Sequence, residues 1–160
     1  MNREILKLIE NNARLSAEDI AAALGMDANE VREELAVMER AGVIRGYKSI
    51  IDWGEGENSN VSALIELKVV PVAGLGFEEV AERIAKYPSV ESVSLMSGVC
   101  DLLVTVRGKS FQEVCSFVAN ELAVIEGVSS TSTQFVMRKY KEWGVELFGN
   151  EDDGRGRISL

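Results

Sequence analysis

Few side chains in this sequence could do chemistry. No histidine occurs among its 160 residues. That removes Ser-His-Asp and Cys-His catalysis and any His-ligated zinc site. Cys100 and Cys115 match no metal-ligand spacing and cannot build a four-cysteine site. They read as reduced thiols, and no metal or cofactor is expected. One turn with candidate binding groups is Met96-Ser97-Gly98-Val99-Cys100-Asp101. A glycine turn lets backbone N–H groups approach an anion closely, and Asp101 suits a cation. Thr131 and Thr133 alternate onto one face of an extended segment and Gln134 onto the other, adding hydroxyl and amide groups. The plain alternative is a hairpin glycine, an Asp that holds its own turn, and threonines favoured by strand propensity.

Charge gives a second set of candidates. The net charge is −9, which argues against nucleic-acid binding unless a local patch opposes the total. Residues 1–60 carry seven Lys/Arg against twelve Asp/Glu, a balance of −5. No apolar run is long enough to cross a membrane and no signal peptide is visible, so a cytoplasmic protein is expected.

Two kinds of pattern must position these groups, and they divide near residue 60. In the first part Ile5, Leu6, Leu8 and Ile9 fall on one helical face that ends at Asn11-Asn12. Ser16 with Asp19 three residues on is a capping-box-like start for a short helix through Ile20, Ala21, Ala23 and Leu24. Gly25 closes it. Asp27 caps a third helix carrying Val31, Leu35 and Met38, which Gly42 stops. A short helix, a tight turn and a second helix predict a helix-turn-helix, with the first helix as third wall. Val43 to Ile51 reads as extended chain broken at Gly46.

The polar stretch from Asp52 to Asn60 is a linker. Beyond it the pattern is strand (Val61–Val70), helix (Phe77–Tyr87), strand (Val90–Met96), strand (Cys100–Val106), helix (from Phe111, capped by Ser110) and a long last strand (Val128–Tyr140). Phe111 and Phe117 read as core. The order predicts a four-stranded antiparallel sheet with two helices on one face, a split βαβ or ferredoxin-like unit. The second face reads as apolar and in need of a partner. The expected boundaries are residues 1–52 for the helical domain, 53–60 for the linker, 61–145 for the sheet domain and 146–160 for a flexible tail.

Together the halves resemble a known family. Ile5-Leu-Lys-Leu-Ile-Glu-Asn-Asn-Ala-Arg-Leu-Ser16, Ile20-Ala-x-x-Leu-Gly25 and Glu39-Arg-Ala-Gly-Val-Ile-Arg-Gly-Tyr47 look like the winged helix-turn-helix of the Lrp/AsnC (feast/famine) transcription regulators. Ser97-Gly-Val-Cys-Asp101 stands where that family shows a Gly-x-x-Asp turn, and Gly127-Val-x-x-Thr-x-Thr133 follows. The resemblance covers residues 2 to 145. It implies an α+β protein with a DNA-binding domain followed by a ferredoxin-like RAM-type domain. It further implies homodimers joined through the sheets, octamers built from them, and a small molecule, typically an amino acid, between dimers. The implied effector set is Met96, Ser97, Gly98, Val99, Cys100, Asp101, Thr131, Thr133 and Gln134.

The implied DNA-binding set is Arg14, Ser16, Asp27, Ala28, Asn29, Glu30, Arg32, Glu33, Arg45 and Lys48. Arg14, Arg45 and Lys48 would meet phosphates and Asn29 an adenine edge, while a Glu could accept from cytosine. The recognition helix departs from the family, because Glu30, Glu33 and Glu34 surround Arg32, its one basic residue near the start. Two other readings therefore stand beside the regulator. One is a metabolite-sensing or partner-dependent module without DNA binding of its own. The other is an enzyme like the sirohaem decarboxylases, which resemble the same family; the absence of histidine disfavours it.

Overall fold

The computed structural model describes residues 2–51, 60–71 and 76–147. The expected linker at 53–59 and tail at 148–160 lie outside the described residues. The chain divides into two compact units, residues 1–51 and 52–160.

Unit 1 is three helices whose ends follow from their capping residues. Helix α1 (Arg3–Asn11) starts where the Asn2 side chain accepts from the Glu4 N–H. Helix α2 (Ala17–Leu24) opens with a closed capping box. The Ser16 hydroxyl accepts from the Asp19 N–H at 3.1 Å, and the Asp19 carboxylate accepts from the Ser16 N–H at 2.9 Å. Aspartate thus serves where Glu or Gln is usual. The Ser16 side-chain hydrogen bond, then its backbone one, hold the Asp19 carboxyl below the ordinary carboxylate range. Gly25 ends α2 in the left-handed region at φ 67°. Helix α3 (Ala28–Arg40) begins at Asp27, whose carboxylate accepts from the Asn29 N–H at 2.8 Å. Ile5, Ile20, Ala21, Val31 and Met38 form the core, with Leu8, Leu15, Leu35 and Ile44 packed around it. Val43 to Ile51 forms no strand, so no wing ladder exists among the described residues.

Unit 2 is a four-stranded sheet in the order β2-β3-β1-β4. The strands are β1 (Val61–Val69), β2 (Val90–Leu95), β3 (Leu102–Gly108) and β4 (Val128–Phe135). Every pairing is antiparallel. Helix α4 (Phe77–Ala85) links β1 to β2, and α5 (Phe111–Phe117), extended by a π turn at Val118–Leu122, links β3 to β4. Both pack on one face. Ala63, Ile65, Leu67 and Val69 of β1 and Leu102, Val104 and Val106 of β3 alternate into that layer, against Val80, Ile84, Val114, Val118 and Leu122. This is the ferredoxin-like topology.

Four expectations change. The last strand ends at Phe135, not Tyr140, because its partner runs out: Phe135 pairs with Ala63, the Val136 N–H reaches Ser62, and β1 begins at Val61. A small hairpin follows, β5 (Lys141–Glu142) with β6 (Val145–Glu146), so the expected tail begins inside a paired strand. Its turn residues Trp143 and Gly144 both have positive φ. The second sheet face is also more polar than expected. Leu64 and Leu103 sit among Glu66, Thr105, Arg107, Ser132 and Gln134 there. Gln134 donates to Glu66 at 3.0 Å, Ser92 to Thr105 at 2.8 Å, and Arg107 pairs with Glu91 at 2.9 Å. Finally, Phe111 stands at the first position of α5, half-exposed, with its ring edge-on to Phe135 at 4.8 Å.

Candidate functional site

In unit 1 the α2–α3 pair presents one polar face. Asn29, Arg32, Glu33, Ala36 and Arg40 recur at helical spacing on the side of α3 opposite Val31 and Met38. Ser16 and Asp27 stand at the two helix starts, and their side chains serve as caps rather than reaching outward. Ala28 packs partly against the core, so it supplies backbone rather than a side chain to this face. Glu30 is exposed beside Asn29. Arg32 does not extend freely. Its Nη1 donates to Asn29 Oδ1 at 2.9 Å and its Nη2 pairs with the carboxylate of Glu18 in α2.

Arg14 lies in the turn before α2, and its N–H donates to Asn12 Oδ1. Arg45 and Lys48 belong to the irregular segment after α3. Val43 to Lys48, with Leu6, Ile9 and Glu10 of α1 and Ala13 of the turn after it, line an open groove of about 510 Å³. Tyr47 fastens that segment to α3 by donating to Glu39 Oε1 at 2.8 Å. Burial, and then this bond to a carboxylate, push the Tyr47 hydroxyl above its ordinary pKa of 10.0.

The predicted basic residues therefore fall into two groups: Arg32 on α3, and Arg14, Arg45 and Lys48 on flanking segments. Arg40 was missed, although it continues the Asn29–Arg32–Glu33 periodicity and is exposed. Residues 2–51 carry seven Lys/Arg against nine Asp/Glu, so the helical unit is milder in charge than residues 1–60 taken whole.

In unit 2, Met96 to Asp101 forms the connection between β2 and β3, closed by the Met96 N–H on the Asp101 carbonyl at 2.8 Å. Gly98 has φ 148°. Among the described residues, the N–H groups of Ser97, Gly98 and Val99 make no backbone hydrogen bond. Val99 is 86% exposed, so this turn faces solvent in the isolated chain. Cys100 is half-buried.

Asp101 is anchored to β1 three times. Its N–H donates to the Leu67 carbonyl at 2.9 Å, Oδ2 accepts from the Val69 N–H at 2.9 Å, and Oδ1 lies 3.8 Å from Lys68 Nζ. The Val69 amide faces the β3 side of β1, where the paired ladder ends at Leu67 and Leu102, so it is open to the Asp101 carboxylate. Lys68 and Val69 were missed, because the contact depends on where the β1–β3 ladder ends, which follows from register.

The structure brings only part of the predicted set together. Thr131 pairs with Leu67, beside the residue that holds Asp101, at the same end of the sheet. Thr133 pairs with Ile65, one step further in. Both threonines lie on the helix-covered face. Gln134 pairs with Leu64 on the other face, where Glu66 holds its amide. The arrangement compatible with a zwitterion is thus the Ser97–Val99 amides with Asp101, and of the predicted β4 residues Thr131 alone stands at that end.

Comparison with known proteins agrees with both units. Residues 62–145 match the family model of the Lrp/AsnC ligand binding domain, and residues 1–45 that of a winged helix-turn-helix DNA-binding domain. The HTH-type transcriptional regulator YugG of Bacillus subtilis, itself uncharacterized, is 42% identical over 98% of this chain and 95% of its own length. The crystal structure of MtbAldR superposes with a TM-score of 0.75 at 20% identity, over 87% of this chain and 93% of that one. The L-Met complex of the transcriptional regulator NMB0573 from Neisseria meningitidis superposes with a TM-score of 0.66 at 22% identity, over 87% and 89%. At these identities the two structures speak to the fold alone.

Proposed function

The chain belongs to the Lrp/AsnC family of DNA-binding transcriptional regulators with a ligand-binding domain, and on that premise we propose that its ligand is a free amino acid held at the Ser97–Asp101 turn. The observation that carries the reading is the state of Asp101. One carboxylate oxygen is occupied by the Val69 amide, while the other lies too far from Lys68 for a good hydrogen bond and remains an acceptor for an ammonium group. The amides of Ser97, Gly98 and Val99 are donors for the carboxylate of the same molecule. The solved L-Met complex of a structural neighbour supports this ligand class.

DNA is met through α2 and α3, with Asn29, Arg32, Glu33 and the exposed Arg40 on the groove side. Arg14, Arg45 and Lys48 supply phosphate contacts. The functional unit is a homodimer that assembles to an octamer, and amino-acid occupancy favours one assembly over another by differential affinity. We read no catalytic step into the chain, and its place is the cytoplasm, where its DNA is.

The test is direct. DNA upstream of its own coding sequence is titrated with the purified protein across a salt series, with and without each common amino acid. Specific binding that one amino acid shifts, together with a ligand-dependent change in sedimentation, is the expected result. Binding indifferent to every amino acid would remove the ligand assignment. One observation favours a second reading, a sensing module without DNA contact of its own: the cation at the start of α3 is already paired within the protein. No binding even at low salt would select that reading.

A further inference from the structure

We propose that Glu18 is a positioning residue that withholds Arg32 from DNA phosphates, so that the start of α3 engages DNA only where a base edge outcompetes it. The inference rests on the reading of α3 as the DNA-facing helix and adds an internal brake on affinity within it.

Arg32 is the sole cation between Ala28 and Leu35, a stretch that also carries Glu30, Glu33 and Glu34. Two of its donor groups are occupied inside the protein, one by Asn29 Oδ1 and one by Glu18. The fold does not need that ion pair. Its side chains are 51% and 62% exposed, and pairs so open to solvent contribute little to stability. Nor does Glu18 cap its helix, because Asp19 closes the capping box with Ser16. Removing the carboxylate should therefore leave α2 and its packing intact.

The consequence lies in what DNA offers as a replacement. On mixed sequence the guanidinium can gain one phosphate. That exchange leaves Glu18 unpaired beside the same backbone, so Arg32 stays where it is and the face remains acidic. A guanine edge offers two acceptors that match the planar guanidinium fork. Asn29 holds Nη1 and keeps that fork oriented at the helix surface. Any contact that takes Arg32 must first break the Glu18 pair, so the pair weakens binding to both kinds of DNA and costs a matched site at least as much as mixed sequence.

The test is a double-mutant cycle of E18Q and R32A in the full chain, with binding read by fluorescence anisotropy across a salt series. The probes are a mixed-sequence duplex and a duplex enriched from a random pool by the wild-type protein. Circular dichroism and thermal melting confirm that each variant folds. E18Q is expected to tighten mixed-sequence binding about three- to tenfold and to steepen the log K against log salt slope by about 1, the signature of one added phosphate contact. The enriched duplex should gain at least as much, because there the wild-type protein has to break the Glu18 pair to place Arg32. In the R32A background E18Q should change neither affinity nor slope appreciably.

Equal tightening in both backgrounds would mean that only a repelling charge was removed, and would overturn the proposal. So would wild-type binding that E18Q leaves unaltered, and in that case the DNA-binding reading survives. If neither wild type nor E18Q binds any duplex at low salt, the DNA-binding reading itself falls and takes this one with it.

Discussion

At Asp101, one carboxylate oxygen holds the end of β1 through the Val69 amide while the other is left for a ligand. Two substitutions separate these duties. Asp101→Ala leaves the Val69 N–H without its acceptor and should lower the stability of unit 2 by about 1–3 kcal/mol. Asp101→Asn keeps an acceptor oxygen but removes the charge that an ammonium requires. It should stay within about 1 kcal/mol of wild type in denaturant titration, while amino-acid affinity measured by calorimetry falls at least about tenfold. Equal ligand affinity in Asp101→Asn and wild type would take Asp101 out of the site. The sequence pointed to Asp101 through its spacing from Gly98. It could not give the Val69 contact, which joins residues 32 apart and depends on where the β1–β3 ladder ends.

Among the elements, the turn between α2 and α3 fixes how the DNA-facing pair crosses. Gly25 takes φ 67° there, and a Cβ built on it would meet nothing within 4 Å. The cost of Gly25→Ala is therefore backbone strain without a clash, about 1–2 kcal/mol, seen as a lower unfolding midpoint of unit 1. Gly25→Asn should cost less, because Asn tolerates the left-handed region better. A cost for Ala well above this range would mean that the turn packs more tightly than the structure has it. The register of β1 has a similar test. Ile65 is fully buried against the helices while its neighbour Leu64 lies on the other face. Ile65→Ala should cost about 2–5 kcal/mol, and Leu64→Ala clearly less in the isolated protomer. Similar costs would place β1 one residue out of register.

For the whole molecule, the lack of histidine becomes a statement about pH. The Asp19 pKa is lowered in the fold from 3.8, so its contribution is complete above the unfolded value and is lost as pH falls through the lower, folded one. Tyr47 is raised from 10.0 by burial and then by Glu39. Tyr87, which donates to Glu121 at 3.1 Å, is raised by burial and then by that bond. Their contributions are complete below pH 10 and are lost as pH rises through the folded values. No such shift is centred near neutrality. The unfolding midpoint should therefore be nearly constant between about pH 5 and 8 and decline on both sides of that window. A step near pH 6.5 would require a titrating group that these shifts do not contain.

The two-part organisation, the starts of α2 and α3, the Gly25 and Gly42 stops and the βαββαβ order were legible in the sequence, because each rests on local chemistry. Capping needs partners two or three residues apart, and amphipathic periods repeat within one element. The family resemblance drew on the same short-range motifs. What only the tertiary structure decided involves partners far apart in the chain. β4 ends where β1 begins, so its length depends on a strand more than sixty residues earlier. The polar character of the second sheet face depends on which residues of β1, β3 and β4 register side by side. Arg32 looked like a free cation until the fold brought Glu18 of the preceding helix to it. A sequence shows which groups a chain carries and which element each belongs to; which of them remain available for chemistry is decided when distant segments meet and some of those groups satisfy one another.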